Sequence, residues 1–271
     1  MHPNYQLIMK IKEIVCALER FAPLPLQDGF DNAGLQIGLT DAEATGALLC
    51  LDVTEAVIDE AIMLGYNLII SHHPLIFRGY KSITGKDYVE QCIMKAIKND
   101  IVVYSAHTNL DNAPEGVNFK IAEKIGLKNV KVLDVKEQNH CSEMAGAGVI
   151  GELETPEGET DFLKRIKKIF EVGCIKHNKL TGREVQRVAI CGGAGAFLMP
   201  LAIRQQADVF ITGEIKYHDY FGHDGEILLA EIGHYESEQY TKEIFQTIIR
   251  DMFPGLPVQA TRVNTNPIKY M

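Results

Sequence analysis

Seven side chains able to ligate a metal or carry a proton stand in four short stretches of the 271-residue chain. They are His72 and His73 in "ISHHP", His107 and Asp111 in "SAHTNLD", Glu214 in "ITGE", and His234 and Glu238 in "GHYESE". Imidazole and carboxylate together suit Zn, Fe, Mn, Co or Ni, and the absence of cysteine from every stretch argues against a structural zinc or an iron–sulfur centre. Four histidines with Asp111 and Glu238 also exceed the three protein ligands of a tetrahedral catalytic zinc. Two ions sharing a carboxylate use the set more fully, and a pair about 3.5–4 Å apart is the machinery of metal-assisted hydrolysis.

Taken singly, each stretch has a plain explanation. A His–His pair at the end of a strand is more often a surface or hydrogen-bonded pair, and a histidine four residues before a carboxylate arises by chance. Their shared position carries the argument, because ligands of open α/β sheets gather at the carboxyl ends of strands. A histidine and an acid at i and i+4 share one helical face, so "HTNLD" and "GHYES" can each present a pair. Pro74 biases His73 toward extended backbone, where neighbouring side chains point to opposite faces. His72 and His73 are therefore expected to diverge and to serve different ions.

The elements that must position these groups are legible from periodicity. An amphipathic helix is expected over Tyr5–Glu19, then a loop with short extended pieces in "APLPLQDGFDNAGLQIG". "GALLCLD" reads as a buried strand and "TEAVIDEAIMLG" as a helix capped by Thr54 and closed by Gly65. "YNLIISHHP" reads as a second buried strand, completing a βαβ unit, with a helix near Asp87–Asn99 and a strand in "IVVYSAHTNLD" after it. The rhythm returns in "QRVAICGGAG", "LMPLAIRQQ", "ADVFITGE" and "ILLAEIGHYESE", so that His107 matches His234 and Asp111 matches Glu238. This predicts an α/β protein of two related lobes from an internal duplication, the metal site in the cleft between them. The expected lobes are 1–128 with 235–271, and 129–234. "CGGAGAF" imitates a dinucleotide fingerprint but has Leu198 where the third glycine belongs, so a tight strand-to-helix turn is the better use of its glycines.

Composition narrows the partners. A formal net charge of −9 disfavours nucleic acid as a direct partner, and the basic run Lys164–Lys168 falls on a helix-period stretch whose plain use is a solvated face. No apolar block suits a signal peptide or a membrane span, which makes no membrane partner and a cytoplasmic location the expectation. The six cysteines form no C-x-x-C pair and read as reduced, packed thiols.

With "DNAGLQIG" (31–38), "SHHPLIF" (71–77), "HTNLDNA" (107–113), "GGAG" (192–195), "GEIKYHD" (213–219), "GHYESE" (233–238) and "NTNPI" (264–268), the sequence resembles the GTP cyclohydrolase 1 type 2 homologs, named in eukaryotes for an NGG-interacting factor. The resemblance runs nearly end to end. It implies two α/β lobes, a dinuclear metal centre and assembly into a homohexameric ring. It implies two divalent ions per chain on His72, His73, Asp111, His234 and Glu238, with Glu238 as the bridge, and places His107 beside them as a ligand or a water-mediated neighbour. Phe30 stands where the family often has tryptophan, and the link over 129–145 leaves no room for the insertion some members carry.

The function this implies is metal-dependent hydrolysis of a small nucleotide-like or cyclic amide substrate. The GTP label is inherited, since no guanine pocket or triphosphate clamp is identifiable in the sequence. The alternative is a non-catalytic metal-binding scaffold, metal chaperone or regulatory partner protein. Candidates for proton transfer are His107, Glu236 and Asp31.

Overall fold

The structure, a computed structural model, describes residues 9–136 and 145–271. Tyr5–Ile8 of the expected first helix and Cys141 lie outside the described residues. In chain order, α1 (Ile11–Phe21), β1 (Gly34–Ile37), β2 (Ala47–Cys50), α2 (Glu55–Leu64), β3 (Leu68–Ser71), α3 (Tyr88–Lys98) and β4 (Val102–Ser105) come first. Then follow α4 (Thr108–Asp111), α5 (Val117–Ile125), β5 (Lys128–Val135), β6 (Gly146–Gly158), α6 (Glu159–Ile169), β7 (Lys176–His177) and β8 (Glu184–Cys191). The remainder is α7 (Met199–Arg204), β9 (Val209–Thr212), β10 (Leu228–Glu231), α8 (His234–Glu238), α9 (Thr241–Met252) and β11 (Val258–Ala260).

Contacts divide the chain into two α/β units, Met1–Asn109 with Lys242–Thr265, and Leu110–Thr241 with Asn266–Met271. The first is built on a sheet of order β1-β4-β3-β2-β11, in which β11, β2, β3 and β4 run parallel and β1 is antiparallel to β4. Every residue of β2, β3 and β4 is buried, as continuous apolar runs covered on both faces require. Leu48, Ile69 and Val103 face one core with Ile58 and Ile93. The helices begin and end where the sequence signals them. Thr54 Oγ1 accepts the Val57 N–H at 3.3 Å, Asp87 Oδ1 accepts the Glu90 N–H at 2.8 Å, and Gly65 closes α2 at φ 70°.

Helix α1 starts later than its periodicity suggests. Lys10 is extended and bridges Glu43, and its N–H donates to the Glu13 carboxylate at 2.8 Å, which fixes the helix start at Ile11. Cys50, Cys92 and Cys191 are buried as expected, whereas Cys16 and Cys174 are exposed. Cys16 lies on the outward face of α1, opposite Ile14 and Leu18, and Cys174 lies in the loop after α6.

The second unit holds a sheet of order β5-β6-β8-β9-β10-β7. Its β8, β9 and β10 are parallel and consecutive, as β2, β3 and β4 are in the first unit. In both sheets the last of these three strands is followed by a short helix with sequence candidates: β4 leads through His107 into α4, which carries Asp111, and β10 leads into α8, which carries His234 and Glu238. No helix among the described residues is long and apolar enough to cross a membrane.

Candidate metal-binding residues

In the first unit, three imidazoles converge beyond the carboxyl ends of β3 and β4. Ligand atoms of His72, His73 and His107 lie within 4.8 Å of one another, and His107 stands edge-on to both neighbours. His72 is fully buried, and its Nδ1 is 2.9 Å from the Ala106 carbonyl oxygen. His73 Nδ1 is 2.7 Å from Asp52 Oδ1, and Asp52 Oδ2 accepts the Thr265 hydroxyl at 2.6 Å. Burial holds the nearby Lys242 ammonium below its ordinary range, although Cys50 and Asp52 oppose that shift.

The expected divergence of His72 and His73 is not what the fold produces. Strand β3 ends at Ser71, and the next two residues lie on bends whose successive amides donate to Cys50 O and Leu51 O at the end of the adjacent strand β2. Alternation applies only while the backbone stays pleated. The two rings consequently sit side by side, centroids 4.9 Å apart and planes 50° apart.

His107 is fixed by Asp31, a residue 76 positions earlier whose side chain is fully buried. Asp31 Oδ1 is 2.7 Å from His107 Nδ1, and Oδ2 accepts the Thr108 N–H at 3.0 Å and its hydroxyl at 2.5 Å. Burial alone pushes this carboxyl up, but the hydrogen bonds from His107 and Thr108 outweigh it and hold the group at about 2. Asn109 completes the turn by accepting the His107 N–H at 2.9 Å and donating to Ala22 O at 2.7 Å.

In the second unit, α8 carries His234 and Glu238 one turn apart, with Nε2 3.2 Å from Glu238 Oε2. A carboxylate oxygen of Asp111 lies within 4.8 Å of one on Glu238, which is itself buried. His234 Nδ1 is 2.7 Å from Glu214 Oε1. The "GGAG" turn shapes this pair. Gly193, at φ 60°, donates its N–H to Ser237 Oγ at 3.0 Å, and a Cβ there would stand 2.2 Å from Glu238 Oε1. The motif that imitates a dinucleotide fingerprint is thus the seat against which α8 packs.

Glu236 lies on the other side of α8 from His234 and Glu238. Its carboxylate packs over Gly233 and accepts the Asn266 side-chain N–H at 3.0 Å.

One arrangement recurs at all four histidines. Each Nδ1 faces a carbonyl or carboxylate oxygen, which can only accept, so Nδ1 carries a proton; at His72, His73 and His107 this leaves the lone pair on Nε2, whereas Nε2 of His234 also faces a carboxylate, that of Glu238. Metal-ligating histidines are oriented in this way by their outer neighbours. Asp52 follows "LLCL" at the end of β2, so strand-end reasoning alone could have found it. Thr265 and Asn266 belong to "NTNPI", for which no chemical signal was available.

The chain matches the family described as Duf34/NIF3 (NGG1p interacting factor 3) over residues 9–267. A Lactococcus lactis subsp. lactis protein named GTP cyclohydrolase 1 type 2 homolog is 33% identical over 264 residues, covering 96% of this chain and 98% of the relative. The crystal structure of a Staphylococcus aureus hypothetical protein superposes with a TM-score of 0.89 at 31% identity, covering 97% of this chain and 99% of that one. A Bacillus cereus protein related to NIF3 gives 0.87 at 26% identity, covering 97% and 100%.

Proposed function

This chain belongs to the Duf34/NIF3 family, and we propose that it binds two divalent metal ions and uses them to hydrolyse a small nucleotide-like or cyclic amide substrate. The proposed ligands are His72, His73, Asp111, His234 and Glu238, with Glu238 shared by the two ions. The observation that carries the reading is the common setting of the histidines. Ala106 O, Asp52 and Glu214 each take the Nδ1 proton of a proposed ligand and leave its Nε2 for coordination, which at His234 faces Glu238, itself a proposed ligand. A structural cluster of imidazoles has no need of one repeated tautomer.

When bound, such ions lower the pKa of a coordinated water and polarise a substrate oxygen. The chain's own groups supply orientation and proton transfer. Glu214 and Asp52 hold the rings of His234 and His73, and the Gly193 turn leaves room for the Glu238 carboxylate. Of the two groups proposed to carry protons, His107 is the better supported, because Asp31 fixes its ring and directs the exchange to Nε2. Glu236 is already bonded to Asn266, which supports a role in holding the C-terminal segment of its unit. The same reading includes a homohexameric ring and a cytoplasmic location, the first resting on the resemblance of the motifs and the second on composition.

Elemental analysis of the purified protein tests the metal reading. Two equivalents per chain are expected, with loss in His72→Ala and in Glu238→Ala, and a protein that retains none after reconstitution sinks it. Hydrolysis is tested by a metabolite screen with metal-loaded protein. Metal-dependent decay of a compound, abolished in Asp111→Ala, is the expected result; saturable metal binding without turnover leaves the scaffold or chaperone reading.

A further inference from the structure

The loop after β9, "GEIKYHDYFGHDG", carries Glu214 near its start. Within its unit this loop walls a cavity of about 600 Å³, a volume suited to a small molecule. The loop is tied down at several points. Gly213 and Glu214 donate their N–H groups to Gly193 O at 2.9 and 3.1 Å. Buried Glu231 receives the Ile215 N–H at 3.3 Å and the Tyr220 hydroxyl at 2.8 Å, and Lys176 holds its other oxygen. The wall is therefore built before any ligand arrives.

Its lining combines exposed rings with opposed charges. Phe197 and Phe221 border the cavity at 65% and 62% exposure, a large apolar surface left to water on a fastened loop. The polar lining residues are Lys216, the acids Glu214 and Asp219, and two histidines, His218 and His223, the latter with its Nδ1 3.0 Å from Glu226 Oε2. Two carboxylates against one ammonium disfavour a phosphate-rich ligand. They suit an uncharged ring whose edge offers both a carbonyl to accept from Lys216 and an N–H to donate to Asp219. Glu214 belongs at once to this wall and to His234, whose Nδ1 it holds at 2.7 Å, so a ring seated here lies next to a proposed metal ligand.

We propose that this cavity is a binding site for a neutral planar heterocycle with a cyclic amide edge, its ring against Phe197 and Phe221 and its edge on Lys216 and Asp219. Naming that ring as the substrate rests on the metal-hydrolase reading; the binding site itself does not. It selects the cyclic amide over the phosphate group as what the protein recognises.

Uracil and hydantoin serve as probes, with pyrophosphate as the competing anion, in ligand-observed NMR and calorimetry on the full chain after its metal content has been measured and then stripped. Saturable binding of uracil or hydantoin at millimolar concentration is expected, weakened about tenfold by Phe221→Ala and by Lys216→Met, with no displacement by pyrophosphate. Both substituted side chains are exposed, and circular dichroism checks that the variants fold. Absence of binding by both probes, binding indifferent to both substitutions, or displacement by pyrophosphate overturns the proposal. A change of assembly mass in Phe221→Ala with uracil binding intact also overturns it, and marks the rings as a contact between copies. Probe binding by a protein that takes up no metal on reconstitution sinks the metal reading alone, and metal retention without probe binding sinks this proposal alone.

Discussion

At Asp31, burial and hydrogen bonding act in opposite directions on one carboxyl, and hydrogen bonding wins. Its pKa of about 2 in the fold lies below the ordinary 3.8, so the group stabilises the protein above that ordinary value and loses the contribution as pH falls from about 4 to about 2. A shift of this size corresponds to about 2 kcal/mol. Asp31→Asn should therefore cost about 2 kcal/mol in urea unfolding at neutral pH, with the gap to the parent closing through the acid limb. A gap that stays constant with pH would assign the effect to packing. In the sequence Asp31 is one of three candidates for proton transfer, in the loop that follows the first helix. Only its bonds to His107 and Thr108 make it the orienting group of an imidazole, and those partners lie 76 and 77 positions away.

Helix α8 has five residues, too few to stand by its own propensity. It is held from outside: Ser237 Oγ accepts the Gly193 N–H and donates to His234 O at 2.8 Å, and Glu238 packs on Gly193. Gly193→Ala puts a methyl where the Glu238 carboxylate sits and adds strain at φ 60°. Metal affinity, read by competition with a chromogenic chelator, should fall roughly 10- to 100-fold; unchanged affinity would remove Glu238 from the ligand set. Helix and strand identities at this scale were legible because caps and apolar runs are local signals, as Thr54, Gly65 and the buried β2 to β4 illustrate. The start of α1 was not, because it depends on Lys10 pairing with Glu43.

For the whole molecule, the proposed ligands run from His72 to Glu238, so metal binding should report on global stability. A ligand at a hundred times its Kd stabilises by about 2.7 kcal/mol, and in a protein of this size that raises Tm by roughly 5–10 °C. Removing metal with a chelator should lower Tm by that amount, restored by adding zinc; an unchanged Tm would show that the fold does not depend on the ions. The sequence by itself determined the donor types, the repeated strand-then-helix unit and the placing of histidines and acids at strand ends, because each is a pattern over a few residues or a repetition of one. Tertiary structure decided that His72 and His73 lie side by side and that Asp31, Asp52 and Glu214 orient imidazoles. It also decided that Gly193 seats Glu238 and that the "GEIKYHD" loop encloses a cavity. These depend on where a strand stops and on contacts between residues distant along the chain, and neither is encoded in any local period.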